Sequence, residues 1–223
     1  MYVGSVMRTK LVTVAPETPL TEAMDILRTN KIGHLLVVNG KGDLVGIVSD
    51  RDIKQNWASP ATSLSTHELN YLLDQVSVSM IMIKSVITLD TATTIERAAS
   101  VMQEKRINAL PVMDNGKLVG IITSHDVMGV LLEGIGISNN SVRLTVLARD
   151  RIGFLAEMAK LLKEEGINIQ SLFSWPRKKY PGISNLVLRV PAIDGERALT
   201  VLRENGFKVL TQYVEDITPY LPE

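Results

Sequence analysis

Two short runs hold residues whose types and spacing suit the recognition of an anion and a sugar: Ser49-Asp50-Arg51-Asp52 and Thr123-Ser124-His125-Asp126. In each, a glycine-led apolar stretch (Gly46-Ile47-Val48, Gly120-Ile121-Ile122) ends at a hydroxyl residue, with an aspartate three positions on. A helix opening there presents unpaired backbone N–H groups and the positive end of its dipole, which favours an anion such as phosphate. The hydroxyl adds a donor, and the aspartate can accept hydrogen bonds from a vicinal diol. The same Ser/Thr-x-x-Asp spacing is also a capping box, which helices use for stability alone. Duplication of the run shifts the balance toward binding.

The elements that must position these residues are also written twice. Placing Met7 on Met82 gives an offset of 75 residues. Leu20, Ala23, Met24, Ile26 and Leu27 then meet Ile95, Ala98, Ala99, Val101 and Met102, both sets with helical spacing. Thr18-Pro19 and Thr93-Thr94 offer helix starts. Residues 34–38 meet 109–113 as short buried strands, and turns follow at Asn39-Gly40-Lys41-Gly42 and Asp114-Asn115-Gly116. The second turn is one residue shorter, so the offset falls to 74, and Leu44–Val48 meets Leu118–Ile122. Each copy reads strand, helix, strand, hairpin, strand, helix. A unit of about 55 residues is near the lower limit for independent folding. The copies are therefore expected to pack as an obligate pseudo-twofold pair with two related clefts between them. Between the copies, Ser65 to Val76 reads as a helix leading into the second.

Beyond Gly134–Asn140, a stretch of hinge-like composition, the pattern changes. Val142 to Ala148 alternates as a strand, and Ile152, Leu155, Ala159 and Leu162 mark a helix stopping at Glu165-Gly166. Asn168–Phe173 and Ser184–Val190 read as strands around a Trp175–Gly182 loop. A helix over Gly195–Asn205 and a strand over Phe207–Val214 complete a ferredoxin-like β-α-β-β-α-β order. The fold class expected is α+β: two β-α-β-β-α repeats followed by a ferredoxin-like domain. Its boundaries are 1–65 (first repeat), 66–133 (second repeat with its leading helix), 134–140 (hinge) and 141–223 (final domain).

Composition excludes several function classes. The 223 residues are 45% hydrophobic and 22% charged, ordinary for a globular protein. Twenty-four basic and 24 acidic residues cancel, so no global field favours nucleic acid or an anionic membrane. The absence of cysteine removes disulfides and thiolate chemistry. Neither a signal peptide nor a membrane span is visible, so cytoplasmic residence is expected, and the Asn139-Asn140-Ser141 sequon reads as accidental. His34, His67 and His125 lack metal-ligand spacing, and Tyr71 stands where a zinc-protease helix needs its second histidine. No nucleophile elbow or Walker loop occurs, so no enzyme activity, metal or required cofactor is expected. His34 reads as a packed core or cleft residue, and Arg177-Lys178-Lys179 as a solvated loop tip.

The two repeats, residues 1 to about 132, resemble CBS domains, whose tandem pair (a Bateman module) commonly binds AMP, ATP or S-adenosylmethionine. The most specific piece is Gly-Ile-Val-Ser-Asp-Arg-Asp-Ile at 46–53, with Gly-Ile-Ile-Thr-Ser-His-Asp-Val at 120–127. The resemblance implies phosphate and ribose contacts at Ser49 with Asp52 and at Thr123 with Asp126. It implies adenine against Lys10 to Val12 with Ile32, and against Ser85 to Ile87 with Ile107. Arg51 is a natural phosphate partner because its fork is charged and bidentate. His125 stands in its place in the second copy and is fully charged only when protonated. The cleft of Arg51 is therefore expected to prefer more phosphate, or to be the one filled.

The last eighty residues resemble an ACT domain, carried by Arg149-Asp150-Arg151-Ile152-Gly153-Phe154-Leu155-Ala156 with Gly166-Ile167-Asn168-Ile169 in support. The resemblance implies a small effector such as an amino acid at Asp150, Gly153 and Asn168, or dimerisation alone; Asp150 reads equally as a helix N-cap. The order CBS, CBS, ACT is similar to the AcuB-type acetoin-utilisation family. The expectation is a non-catalytic homodimeric regulator that senses an adenosyl ligand, acts on a metabolic enzyme, and has no nucleic-acid or membrane partner. The alternative is a structural interaction protein with vestigial clefts.

Overall fold

The computed structural model describes residues 1–57, 65–137, 140–176 and 178–222. Ser138 and Asn139 of the hinge and sequon, Arg177 of the basic triplet and the side chain of His67 lie outside the described residues. The chain divides into two compact units, Met1–Val130 and Leu131–Glu223.

The first repeat comprises β1 (Thr13–Val14), α1 (Leu20–Asn30), β2 (His34–Val38), β3 (Leu44–Ser49) and α2 (Asp50–Gln55). β1 runs parallel to β2, and β2 antiparallel to β3 in the register Leu36 opposite Ile47. α1 buries Leu20, Ala23, Met24 and Leu27, the stripe its spacing predicted. A connecting helix α3 (Thr66–Asp74) opens at a Ser65–Glu68 capping box, and the short α4 (Val78–Ile81) follows. The second repeat is β4 (Leu89–Asp90), α5 (Ile95–Lys105), β5 (Ala109–Asp114), β6 (Lys117–Thr123) and α6 (Ser124–Gly134), with the same pairing directions. α5 buries Ile95, Ala98, Val101 and Met102, and its Thr94 N-cap accepts the Arg97 N–H at 3.2 Å.

The leader of each repeat belongs to the core of the other. Val3 is wholly buried among Ile95, Ala98, Leu110 and Ile122 of the second repeat, and Val78 among Leu20, Leu35 and Val48 of the first. Three backbone bonds fix each crossing, and they match at the offset of 75. Val3 N–H donates to Thr93 O at 2.8 Å, Gly4 to Thr91 O at 2.9 Å, and Ile95 to Met1 O at 3.1 Å. Their counterparts are Val78 to Thr18 O (2.9 Å), Ser79 to Pro16 O (2.8 Å) and Leu20 to Val76 O (3.0 Å). The strand edges are then extended: Arg8 exchanges two backbone bonds with Ile121 at 2.9 and 3.0 Å, and Ile83 with Ile47 at 2.9 and 3.1 Å.

This crossing explains the glycine that leads each motif. Gly46 and Gly120 lie inside β3 and β6, and a Cβ on either would overlap the Met82 or Met7 side chain laid across it. The glycines make room for the neighbouring repeat's leader; neither has a positive φ.

The second unit holds β7 (Ser141–Arg149), α7 (Phe154–Glu164), β8 (Ser171–Pro176), β9 (Ile183–Pro191), α8 (Gly195–Glu204) and β10 (Lys208–Leu210). Its antiparallel sheet has the order β10-β7-β9-β8, the ferredoxin-like arrangement. Leu144, Val146, Leu186 and Leu188 meet Met158, Leu162, Ala198 and Leu202 in one core. Three expectations need correction. β8 covers Ser171–Pro176, so Asn168 precedes it and Trp175 belongs to the strand and not to the loop. Gly153 has φ 88° and delays the helix to Phe154, so Ile152 is 101% exposed and Leu155 is exposed too, while Met158 joins the expected Leu162 in facing inward. The final strand ends at Leu210, because Val214, Ile217 and Leu221 turn back onto Leu147 and Leu210.

Candidate functional site

Each duplicated corner is built as a capping box. Ser49 N–H and Oγ donate to Asp52 Oδ2 at 2.8 and 2.6 Å, and Ser49 Oγ accepts the Asp52 N–H at 3.2 Å. Thr123 N–H and Oγ1 donate to Asp126 Oδ2 at 2.9 and 2.5 Å, with Asp126 N–H returning at 3.4 Å. Both aspartates thus spend one carboxylate oxygen on the helix start. α2 has only six residues, so its dipole adds little to the Ser49 corner, and recognition there falls to side chains.

The remaining oxygens differ. Asp126 Oδ1 accepts Arg8 Nη2 at 2.8 Å and Nε at 3.1 Å. Burial raises the Asp126 pKa, but bonds from Thr123 and Arg8 outweigh it and hold the carboxyl below its ordinary value. Asp52 Oδ1 has no hydrogen bond among the described residues.

Two clefts lie between the repeats, and each joins a wall from one repeat to a corner from the other. The first, about 300 Å³, combines Arg8, Lys10, Val12, Lys31, Ile32 and His34 with Thr123 and His125. The second, about 390 Å³, combines Ile83, Arg106, Ile107, Asn108 and Ala109 with Ser49, Arg51 and Asp52. Both volumes sit at the lower end of the roughly 300–1,000 Å³ typical of small-molecule sites. Of the adenosyl candidates, Lys10, Val12, Ile32, Thr123 and His125 share the first cleft, and Ser49, Arg51, Asp52 and Ile107 the second. Asp126 adjoins the first through Arg8. Ser85 and Ile87 line neither cleft and are exposed.

Several cleft residues escaped the sequence reading. Arg8 and Ile83 are placed by the leader crossing. Lys31 and Arg106 end α1 and α5 in the left-handed region, φ 52° and 57°, where glycine is usual. A glycine would end the helix with less strain but bring no charge to the cleft. The detectable signal was their identity in charge at the offset of 75. His34 lines both clefts; burial lowers its pKa, with the Asp52 charge pulling the other way, so it is neutral at pH 7. Lys54 pairs with Asp50 at 2.6 Å beside the second cleft.

In the other unit, a cleft of about 430 Å³ is lined by Arg149, Arg151, Phe154, Glu157, Phe207 and Lys208, among others. Asp150, Gly153 and Asn168 do not line it; Asp150 and Asn168 are exposed. Gly153 itself is the N-cap of α7, so Asp150 does not cap it. Arg151 is held by Glu157 at 2.5–2.8 Å and lies over the Phe154 ring.

A crossed pair of β-α-β-β-α repeats with two clefts at Ser/Thr–Asp corners defines a CBS pair. The CBS domain model matches residues 3–58 and 78–133, and the ACT domain model residues 142–207. The chain belongs to the CBS-domain family and carries an ACT domain after the pair. It is similar to a CBS domain-containing protein of Dictyostelium discoideum, 31% identical over 134 residues, covering 60% of this chain and 92% of the relative. The crystal structure of a CBS-domain containing protein from Agrobacterium tumefaciens superposes with TM-score 0.51 at 28% identity, over 59% of this chain and 99% of that one. Inosine-5'-monophosphate dehydrogenase of Thermoplasma acidophilum is 36% identical over 118 residues, 52% of this chain but only 21% of the enzyme. No helix among the described residues is long and apolar enough to cross a membrane.

Proposed function

We propose that the protein is a non-catalytic regulator whose crossed clefts bind adenosyl compounds (AMP, ADP, ATP or S-adenosylmethionine). The observation that carries this reading is the second cleft: Asp52, with an open carboxylate oxygen, lines it together with Arg51, Arg106 and the apolar Ile83 and Ile107. An acceptor for a diol, cations for phosphate and an apolar wall for a base are the three elements such a ligand needs. Because each cleft takes a wall from one repeat and a corner from the other, a ligand bridges both. It biases their relative arrangement only by its differential affinity for the two states. The ACT domain, holding a small effector or a second copy of the chain, passes the change to a metabolic enzyme, and the CBS-CBS-ACT order points to acetoin- or acetate-related carbon metabolism.

The capping boxes favour a second reading, a structural interaction protein with vestigial clefts, because both carboxylates already have work at the helix starts. Calorimetric titration with AMP, ADP, ATP and S-adenosylmethionine separates the two. Binding by the wild type that is lost in the Asp52→Ala, Asp126→Ala double variant supports the first. Absence of binding, with no rise in melting temperature at saturating ligand, supports the second.

A further inference from the structure

The two clefts are related by the repeat offset, yet their charge differs at matched positions. Arg8 and Ile83 occupy equivalent places, each exchanging two backbone bonds with the strand of the other repeat. Lys10 and Ser85 are equivalent, as are Lys31 and Arg106. The first cleft therefore collects Arg8, Lys10 and Lys31, with Asp126 at its edge paired to Arg8. The second holds Arg51 and Arg106 with Asp52, while Asp50 is already paired to Lys54 at 2.6 Å. Counting the walls gives the first cleft three cations and the second two, which favours the first for phosphate where Arg51 alone favoured the second.

Arg8 also changes what Asp126 can do. With Oδ2 on Thr123 and Oδ1 on Arg8, Asp126 has its principal acceptor directions filled. A ribose diol can engage it only after the guanidinium leaves. Arg8 is half exposed, at 52%, so it can swing, and an anion within the cleft is what draws it away. Asp52 shares its cleft with Ile83, the counterpart of Arg8, and carries no such latch.

We propose that the two clefts sort adenosyl ligands by charge. The Arg8 cleft accepts those whose phosphates draw Arg8 off Asp126, and the Asp52 cleft also accepts uncharged adenosine. This rests on the adenosyl-binding reading above and assigns a specificity-determining role to Arg8. A phosphate exchanged for the carboxylate leaves Arg8 charge-paired and frees Asp126 for the ribose in the same step.

The test is calorimetric titration of the full chain with ATP and with adenosine, on wild type and on Arg8→Ile, which copies Ile83. ATP is expected to fill two wild-type sites and adenosine one. In Arg8→Ile, one ATP site weakens about tenfold, while adenosine now fills two. Lys10→Ser, which copies Ser85 and leaves the backbone bridge of residue 8 intact, weakens the same ATP site and leaves adenosine at one; it carries the test if Arg8→Ile fails to fold. Adenosine filling two wild-type sites, or variants matching wild type for both probes, overturns the sorting and leaves nucleotide binding standing. Failure of the wild type to bind either probe overturns the nucleotide reading itself.

Discussion

Asp52 and Asp126 are one residue in two settings, and their second oxygens separate them. Each aspartate is the N3 acid of a capping box and accepts the backbone N–H and hydroxyl of its N-cap residue, so Asp52→Ala and Asp126→Ala should each lower stability by about 1 kcal/mol in urea unfolding. Asp126→Ala is expected to cost more, because it also strands the Arg8 guanidinium. The folded pKa of Asp126 lies below its ordinary 3.8. Its contribution is therefore present above that value and lost as pH falls through the folded one; Asp126→Ala should flatten the acid limb of stability there. His34 acts in a different window. Its folded pKa is depressed below 6.5 by burial, so the unfolded chain binds the proton more readily. Stability is complete above pH 6.5 and declines below it, and His34→Gln should remove that decline in melting curves taken across mildly acid pH. These residues show where sequence was informative. The Ser/Thr–Asp corners could be read because their spacing is local, whereas Arg8 could not, because its partner lies 118 positions away.

At the level of elements, a glycine and a methionine lock each leader onto the neighbouring strand. Overpacking of a core position costs about 1–3 kcal/mol, so Gly46→Ala and Gly120→Ala should each destabilise by that amount. Pairing Gly46→Ala with Met82→Ala should cost less than the sum of the two single changes, a coupling readable from equilibrium unfolding. The sequence places Gly46 and Gly120 inside strands without a reason for glycine there; only the crossing shows each to be a clearance. α7 shows the opposite limit. Counting helical spacing from Ile152 took in two exposed residues, Ile152 and Leu155, because nothing local reveals that Gly153 takes φ 88° and postpones the helix to Phe154. Gly153→Ala should lose about 1 kcal/mol or more through strain alone, since no atom crowds the added methyl closer than 3.9 Å.

Across the Met1–Val130 unit, the exchanged leaders join the stability of the two repeats. Val3 is wholly buried in the core of the second repeat, so Val3→Ala, at about 2 kcal/mol, should weaken amide-exchange protection of β5 and β6, far along the chain. β2 and β3 should follow if the pair unfolds as one. Separate exchange of the two repeats would show that the crossing does not couple them. The sequence by itself determined the repeat, its helices and strands, the ferredoxin-like order of the last domain and the duplicated corners. All of these follow from local periodicity, turn chemistry and a constant offset. Only the tertiary structure decided which wall meets which corner, that Arg8 occupies Asp126 while Ile83 leaves Asp52 open, and why Gly46 and Gly120 must be glycine. Each of those depends on a leader crossing to the other repeat, and chain-distant packing leaves no periodic trace in the residues that take part in it.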